Sequence, residues 1–167
     1  MRTIRLRAEI DADPAAVFAA VAEFDRWPAL AADVREVVTT PASAGQPRES
    51  RWEVNFRRGV MRWREAEVVD PVLLRIDFDR TDGDFEDFHG SWQVFDASGG
   101  TAEALFEVTY DFGIESLAGL MDPIAERVIK RSVCEVLNGQ FDGVRVVEGA
   151  EALTDLGAPL VTTKGNS

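Results

Sequence analysis

The stretch that decides the fold is Trp52-Glu53-Val54-Asn55-Phe56-Arg57-Arg58-Gly59-Val60-Met61-Arg62-Trp63-Arg64-Glu65-Ala66-Glu67. Apolar and polar residues alternate through it, the mark of strands that bury one face. Arg58-Gly59 reads as a two-residue hairpin loop, with the glycine supplying a positive φ. That loop sets Phe56 opposite Met61, Val54 opposite Trp63 and Trp52 opposite Glu65. The second face pairs Asn55 with Arg62 and Glu53 with Arg64. One face is then almost wholly apolar and the other polar, a division that a one-residue slip would destroy.

Further elements extend from this hairpin in both directions. Residues 3–10 alternate, with Ile4, Leu6, Ala8 and Ile10 on the buried side. Asp13-Pro14 is a helix start, since Asp caps and Pro suits the first helical turn. Val17, Phe18, Val21 and Phe24 follow at helical spacing, and a second short helix runs from the Arg26-Trp27-Pro28 break to about Ala32. Strands are expected over 34–40 and 72–80, the latter ending in a turn at Thr81-Asp82-Gly83-Asp84. A last hairpin, 85–97 with 101–112, turns through Ser98-Gly99-Gly100 and sets Trp92 opposite Phe106, Val94 opposite Ala104 and Phe88 opposite Tyr110. Asp122-Pro123 repeats the helix-start signal, and a long helix is expected over 122–147. Its buried stripe is Ile124, Val128, Val133, Val136, Leu137, Phe141 and Val144. Gly139 and Gly143 fall within it, either for close packing or to bend it over a ligand. The reading is one domain over 1–148 with a flexible tail over 149–167.

Composition narrows the function. With 167 residues the chain is long enough for a sizeable core. Thirty acidic against 18 basic residues give a net charge of −12, which argues against a nucleic-acid partner. Cys134 has no second cysteine to pair with, and with His89 the sole histidine no metal site is expected. No apolar run approaches the ~20 residues of a membrane-spanning helix. The amino-terminal residues do not read as a signal peptide, so a cytoplasmic location is expected.

Three strings carry a family likeness: Ile10-Asp11-Ala12-Asp13-Pro14-Ala15-Ala16-Val17-Phe18, then Phe24-Asp25-Arg26-Trp27-Pro28, then Gly83-Asp84-Phe85 running on to Gly90-Ser91-Trp92. With the element order, they make the chain resemble the START-like helix-grip superfamily over roughly residues 3–147. That superfamily includes polyketide aromatase/cyclases, coenzyme Q-binding proteins and lipid carriers. The resemblance implies an α+β helix-grip (START-like) fold. In it a curved antiparallel sheet of six to seven strands surrounds a long C-terminal helix and leaves an internal apolar cavity. In tetracenomycin-type aromatase/cyclases the tryptophans matching Trp27, Trp63 and Trp92 line the pocket. Those enzymes carry a pocket Arg where this chain has Glu67 and a Tyr where it has Val34, so two residues tied to aromatic ring formation are replaced.

The expected ligand walls are Trp27, Trp52, Phe56, Met61, Trp63, Phe78, Phe88, Trp92 and Phe106. Flat aromatic surfaces suit a hydrophobic small molecule of polyketide, quinone or lipid type. Glu65, Glu67 and Tyr110 are the expected acid/base groups. Two carboxylates facing one apolar cavity resist joint ionisation, and a carboxylic acid that keeps its proton near neutrality suits aldol or dehydration steps. The alternative is that both are solvated or paired with arginines. His89 points to solvent by parity, and Cys134 reads as a small core residue. Arg51, Arg57, Arg58, Arg62 and Arg64 form a basic face on an acidic protein, suited to an acidic acyl carrier protein or simply to solvent. Two functions fit: a polyketide cyclase/dehydratase with neither metal nor organic cofactor, or a non-catalytic carrier of a hydrophobic ligand.

Overall fold

The computed structural model describes residues 1–57 and 59–150. The chain runs β1 (Arg2–Ile10), α1 (Pro14–Ala22), a short 3₁₀ turn (Phe24–Arg26), α2 (Trp27–Leu30), β2 (Val34–Thr40), β3 (Arg48–Phe56), β4 (Gly59–Asp70), β5 (Arg75–Gly83), β6 (Asp87–Ser98), β7 (Thr101–Asp111), α3 (Glu115–Gln140) and β8 (Val144–Glu148). The strands form one antiparallel sheet in the order β2-β3-β4-β5-β6-β7-β1-β8. Sequential hairpins build most of it, and β1 closes against β7. The α+β helix-grip architecture is present, with eight strands instead of the expected six or seven.

The eighth strand comes from a stretch expected to be helical. The helix spans Glu115–Gln140, not 122–147. Past Asp142-Gly143, Val144 pairs with Ile10 and Val146 with Ala8, while the Asp11 amide donates to the Gly143 carbonyl at 2.9 Å. Val144 thus serves the core from a strand, and Phe141 is the helix C-cap. At the other end Pro123 lies inside α3, because Leu117 and Met121 still pack on the core and hold an extra N-terminal stretch. Gly139 serves close packing: a Cβ there would meet Leu30 Cδ2 at 2.8 Å.

The β3–β4 register is two residues from the expected one. Trp52 faces Trp63, Val54 faces Met61 and Phe56 faces Gly59. Gly59 lies in the ladder, and the turn passes through Arg57 at φ 65°. Arg58 lies outside the described residues. A two-residue shift preserves parity, so the inward and outward faces stay as read. The shift brings the Trp52 and Trp63 rings into a stack, 5.7 Å apart and 3° from parallel.

The last hairpin has the expected register throughout its centre. Gly99 and Gly100, both at positive φ, form a two-residue turn, and a bulge between Asp96 and Ser98 takes up the third residue. The turn expected at 81–84 is shifted: β5 begins late, at Arg75, and continues through Gly83. Asp13 caps α1 as read, its side chain accepting from the Ala15 amide at 3.1 Å.

Gly90 on β6 lies between Phe78 of β5 and Val108 of β7. A Cβ there would lie 2.0 Å from the Glu107 carbonyl oxygen and 2.8 Å from Phe78 Cζ. Gly90→Ala is expected to destabilise the fold by about 3 kcal/mol, at the upper end of overpacking costs. Urea denaturation with an unchanged m-value would check it.

Candidate functional site

The sheet curves, and α3 cannot follow its whole inner surface. Between them lies an almost wholly apolar cavity of about 60 Å³. From the sheet it is walled by Trp52, Phe56, Trp63, Phe78, Phe88, Trp92 and Phe106, and α2 contributes Trp27. Eight of the nine expected wall residues therefore line it. Met61 does not: it is half-buried and packs against the core beside the cavity. Alternation on the sheet and the periodicity of α3 also bring in residues not singled out as walls, among them Phe24, Val34, Val54, Val128, Ile129, Ser132 and Val133. Val128 and Val133 belonged to the stripe legible in the sequence. Ser132 did not, being a polar residue between Arg131 and Val133.

Around Trp27 and Phe24 the rings meet edge to face. Trp27 lies 5.3 Å from Trp52 and 6.1 Å from Trp92, each pair nearly perpendicular. Two buried polar atoms in the cavity wall, Trp27 Nε1 and Ser132 Oγ, have no hydrogen-bond partner among the described residues.

Glu65 and Glu67 point inward together from β4 and are 3% and 1% exposed. Glu67 is fully engaged. Arg48 Nε donates to its Oε1 at 2.9 Å, and Ser50 Oγ donates to its Oε2. Trp52 Nε1 donates in turn to Ser50 Oγ at 2.7 Å. Arg48 also donates to the Ala22 carbonyl at 2.7 Å and lies over the Phe24 ring. Glu65 has a lighter hold: Trp63 Nε1 donates to its Oε1 at 2.9 Å, and it hydrogen-bonds with Glu67. Glu65, unlike Glu67, lines the cavity. Burial pushes its carboxyl well above the ordinary range, and the neighbouring Glu67 charge and hydrogen bond push the same way. The Trp63 N–H and the Arg48 charge oppose this more weakly.

The structure does not bring Tyr110 to the cavity. Its side chain is buried, and its hydroxyl donates to the Asp122 carbonyl at 3.1 Å. Burial, with the Asp122 charge, pushes the phenol upward. Burial likewise pushes the Cys134 thiol up to about 12, which leaves it an inert core group. His89 is exposed as expected, its Nδ1 lying 2.9 Å from Asp87 Oδ1. Arg51, Arg62 and Arg64 are exposed on the outer face, and Arg51 and Arg62 are paired there with Glu36 and Glu53.

A curved antiparallel sheet, a long terminal helix and an aromatic cavity between them match a known sequence pattern. The profile described as "Polyketide cyclase / dehydrase and lipid transport" covers residues 10–136. The chain belongs to this family. No curated protein matches its sequence. Among solved structures, a Thermus thermophilus protein superposes with a TM-score of 0.72 at 21% identity, over 94% of this chain and 100% of that one. An aromatase/cyclase from a Streptomyces species gives 0.69 at 14%, over 82% and 89%. A START superfamily protein from Mycobacterium smegmatis gives 0.71 at 13%, over 83% and 96%. At these identities the structural likeness speaks for the START-like helix-grip fold. No helix among the described residues is long and apolar enough to cross a membrane.

The raised Glu65 carboxyl predicts a pH signature. Folding favours its protonated form, so the folded state holds a proton that the unfolded state releases as pH rises. This contribution to stability is complete below the ordinary value of 4.5 and is lost as pH rises toward the raised folded value. Glu65→Gln is expected to remove that slope, up to about 1.4 kcal/mol per pH unit. Thermal melts of both proteins should coincide near pH 4 and diverge toward neutrality, with the variant more stable there.

Proposed function

We propose that this protein is a polyketide cyclase that holds a carbonyl-bearing hydrophobic chain in the aromatic cavity and moves its protons with Glu65. The observation that carries this reading is an inward carboxyl, raised by burial and by Glu67, in an otherwise apolar wall. Such an acid gives its proton to an acceptor carbonyl as an enol carbon attacks it, and the enol hydroxyl proton restores the acid. For dehydration, the acid protonates the leaving hydroxyl and its carboxylate takes the α-proton, releasing water. Neither sequence needs metal or redox chemistry. Glu67, held by Arg48 and Ser50, acts as the fixed charge that keeps the proton on Glu65. The unpartnered Trp27 N–H and Ser132 hydroxyl suit the oxygens of a bound ketone or enol.

The cavity is smaller than the ~300 Å³ at which small-molecule pockets usually begin, so binding such a chain requires the wall to move outward. Pro123 gives α3 a weak point: it removes the hydrogen bond to the Gly119 carbonyl just ahead of Val128 and Ile129.

A second reading, a non-catalytic carrier or chaperone of a lipid, quinone or polyketide, is favoured by one observation. Tyr110 is occupied by a backbone carbonyl and Glu67 by Arg48, which leaves Glu65 as the single available acid. Turnover of a poly-β-keto thioester separates the two readings. Glu65→Gln is expected to lower turnover at least about a hundredfold, the lower range of general acid–base effects, with binding retained. Trp63→Ala is expected to weaken binding by about 1–3 kcal/mol. Recovery of the thioester unchanged from the wild-type protein would favour the carrier.

Delivery by an acyl carrier protein belongs to the same reading, on the outer face around Arg62 and Arg64. Charge reversal of both is expected to slow turnover of a tethered substrate, and the difference should fade with salt. Free thioester turnover should be unchanged.

A further inference from the structure

A second hollow, about 380 Å³, lies against the cavity and has the opposite character. Its lining is Asp33, Arg57, Ile124, Arg127, Val128 and Arg131. Val128 lines both spaces. At three further points adjacent residues divide between them: Asp33 and Val34, Phe56 and Arg57, Arg131 and Ser132. The apolar member of the first two pairs, and Ser132 of the third, goes to the cavity, while the charged member goes to the hollow. This second space therefore adjoins the apolar cavity near the hairpin tip, and is termed the vestibule below.

Its charge is unusual for this chain. Three guanidiniums face one carboxylate, in a protein of net charge −12. Six arginines elsewhere, Arg5, Arg7, Arg48, Arg51, Arg62 and Arg75, each hold a carboxylate within 3.2 Å. In the vestibule, Arg57 and Arg127 make no ion pair among the described residues, and Arg131 reaches Glu135 only at 3.8 Å. Arg131 Nε is buried without a hydrogen-bond partner. Guanidinium groups in a recess are suited to the paired oxygens of a carboxylate or phosphate.

We propose that the vestibule is an anion-binding subsite, which holds the carboxylate or phosphate end of a ligand whose apolar part occupies the cavity. The inference rests on the cavity taking a ligand and is independent of whether Glu65 catalyses. It makes the ligand an acid-ended amphiphile. The anion is either the ligand's own terminal carboxylate or the phosphate of a carrier's pantetheine arm.

Two fluorescent dyes with the same aromatic skeleton test it: anilinonaphthalene sulfonate, an anion, and phenylnaphthylamine, which is neutral. The wild-type protein is expected to bind the sulfonate more tightly. Arg127→Gln and Arg131→Gln should each weaken the sulfonate about three- to tenfold and leave the neutral dye unchanged. Asp33→Asn, which removes the vestibule's one carboxylate, should tighten the sulfonate alone. Arg5→Gln, at an exposed position that does not line the vestibule, should alter neither. An unchanged ratio of the two affinities in both arginine variants, or an equal loss for both dyes, overturns the proposal. If neither dye binds the wild-type protein, the ligand cavity fails and the subsite with it. Loss of the Glu65 effect on turnover, by contrast, leaves the subsite standing. Competition then identifies the source of the anion. Displacement by decanoate, weakened by Arg127→Gln, assigns a ligand carboxylate. Displacement by decanoyl phosphopantetheine but not decanoate assigns the carrier's phosphate. Neutral decanoyl pantetheine competing as well as both would refute any anion requirement.

Discussion

The pairing of Glu67 with Arg48 is the constraint on which the rest of the structure depends. A carboxylate taken out of water costs several kcal/mol unless its oxygens are met by donors. Here both are met from the adjacent strand, by Arg48 Nε and Ser50 Oγ. This satisfaction fixes the strand register. Arg48 faces Glu67, Ser50 faces Glu65 and Trp52 faces Trp63. A hairpin closed at Arg58-Gly59 would instead leave Arg48 opposite Val69 and Glu65 opposite an indole ring. The observed register satisfies the buried charge and stacks the tryptophans at once, and its turn tolerates Arg57 at a positive φ.

From that register the chemistry of the cavity follows. Glu67 is anchored by Arg48 and Ser50, so it stands in a fixed position beside Glu65. Glu65 sits one inward position closer to the hairpin tip, where the wall is aromatic, and among the described residues its hydrogen-bond partners are the Trp63 N–H and Glu67. A group so placed is more stable neutral than charged. The space it borders exists because large rings meeting edge to face leave a gap under α3. Unpartnered polar atoms in that gap, Trp27 Nε1 and Ser132 Oγ, cost about 1–3 kcal/mol each. A bound molecule with acceptor oxygens recovers that cost, which a purely apolar ligand would not.

How much of this was legible in the sequence depended on whether periodicity or pairing carried the information. Inward and outward faces were readable because parity survives a shift of two. Alternation therefore places Trp52 and Trp63 on the cavity side in either register of the first hairpin. The register itself was not readable from Gly59, because the glycine is paired and the positive φ falls on Arg57. The partner of Glu67 was within reach: Arg48 and Ser50 share the parity of Trp52, so a salt-bridged inner face followed from the same alternation. The helix was misplaced at both ends for two reasons. Asp-Pro looks like a cap wherever it falls, and the brief alternation of Val144 and Val146 continues a helical stripe as well as it starts an edge strand. Tyr110 had the right parity, but α3 offers the Asp122 carbonyl to its hydroxyl, a tertiary contact that no local pattern reveals.

For the ligand proposed above, the hairpin also sets a length scale. Arg57 stands at its tip, in the vestibule, and Glu65 lies six residues along β4 from Gly59. At ~3.3 Å per residue that is roughly 20 Å of strand. A molecule with its anionic end among the arginines and a carbonyl at Glu65 has to bridge a distance of at most this order. An extended chain that reaches both ends has its middle against the stacked Trp52 and Trp63. The same strand alternation that buries those rings therefore separates the charged end of the ligand from the reacting end, and the spacing between them is set by backbone geometry alone.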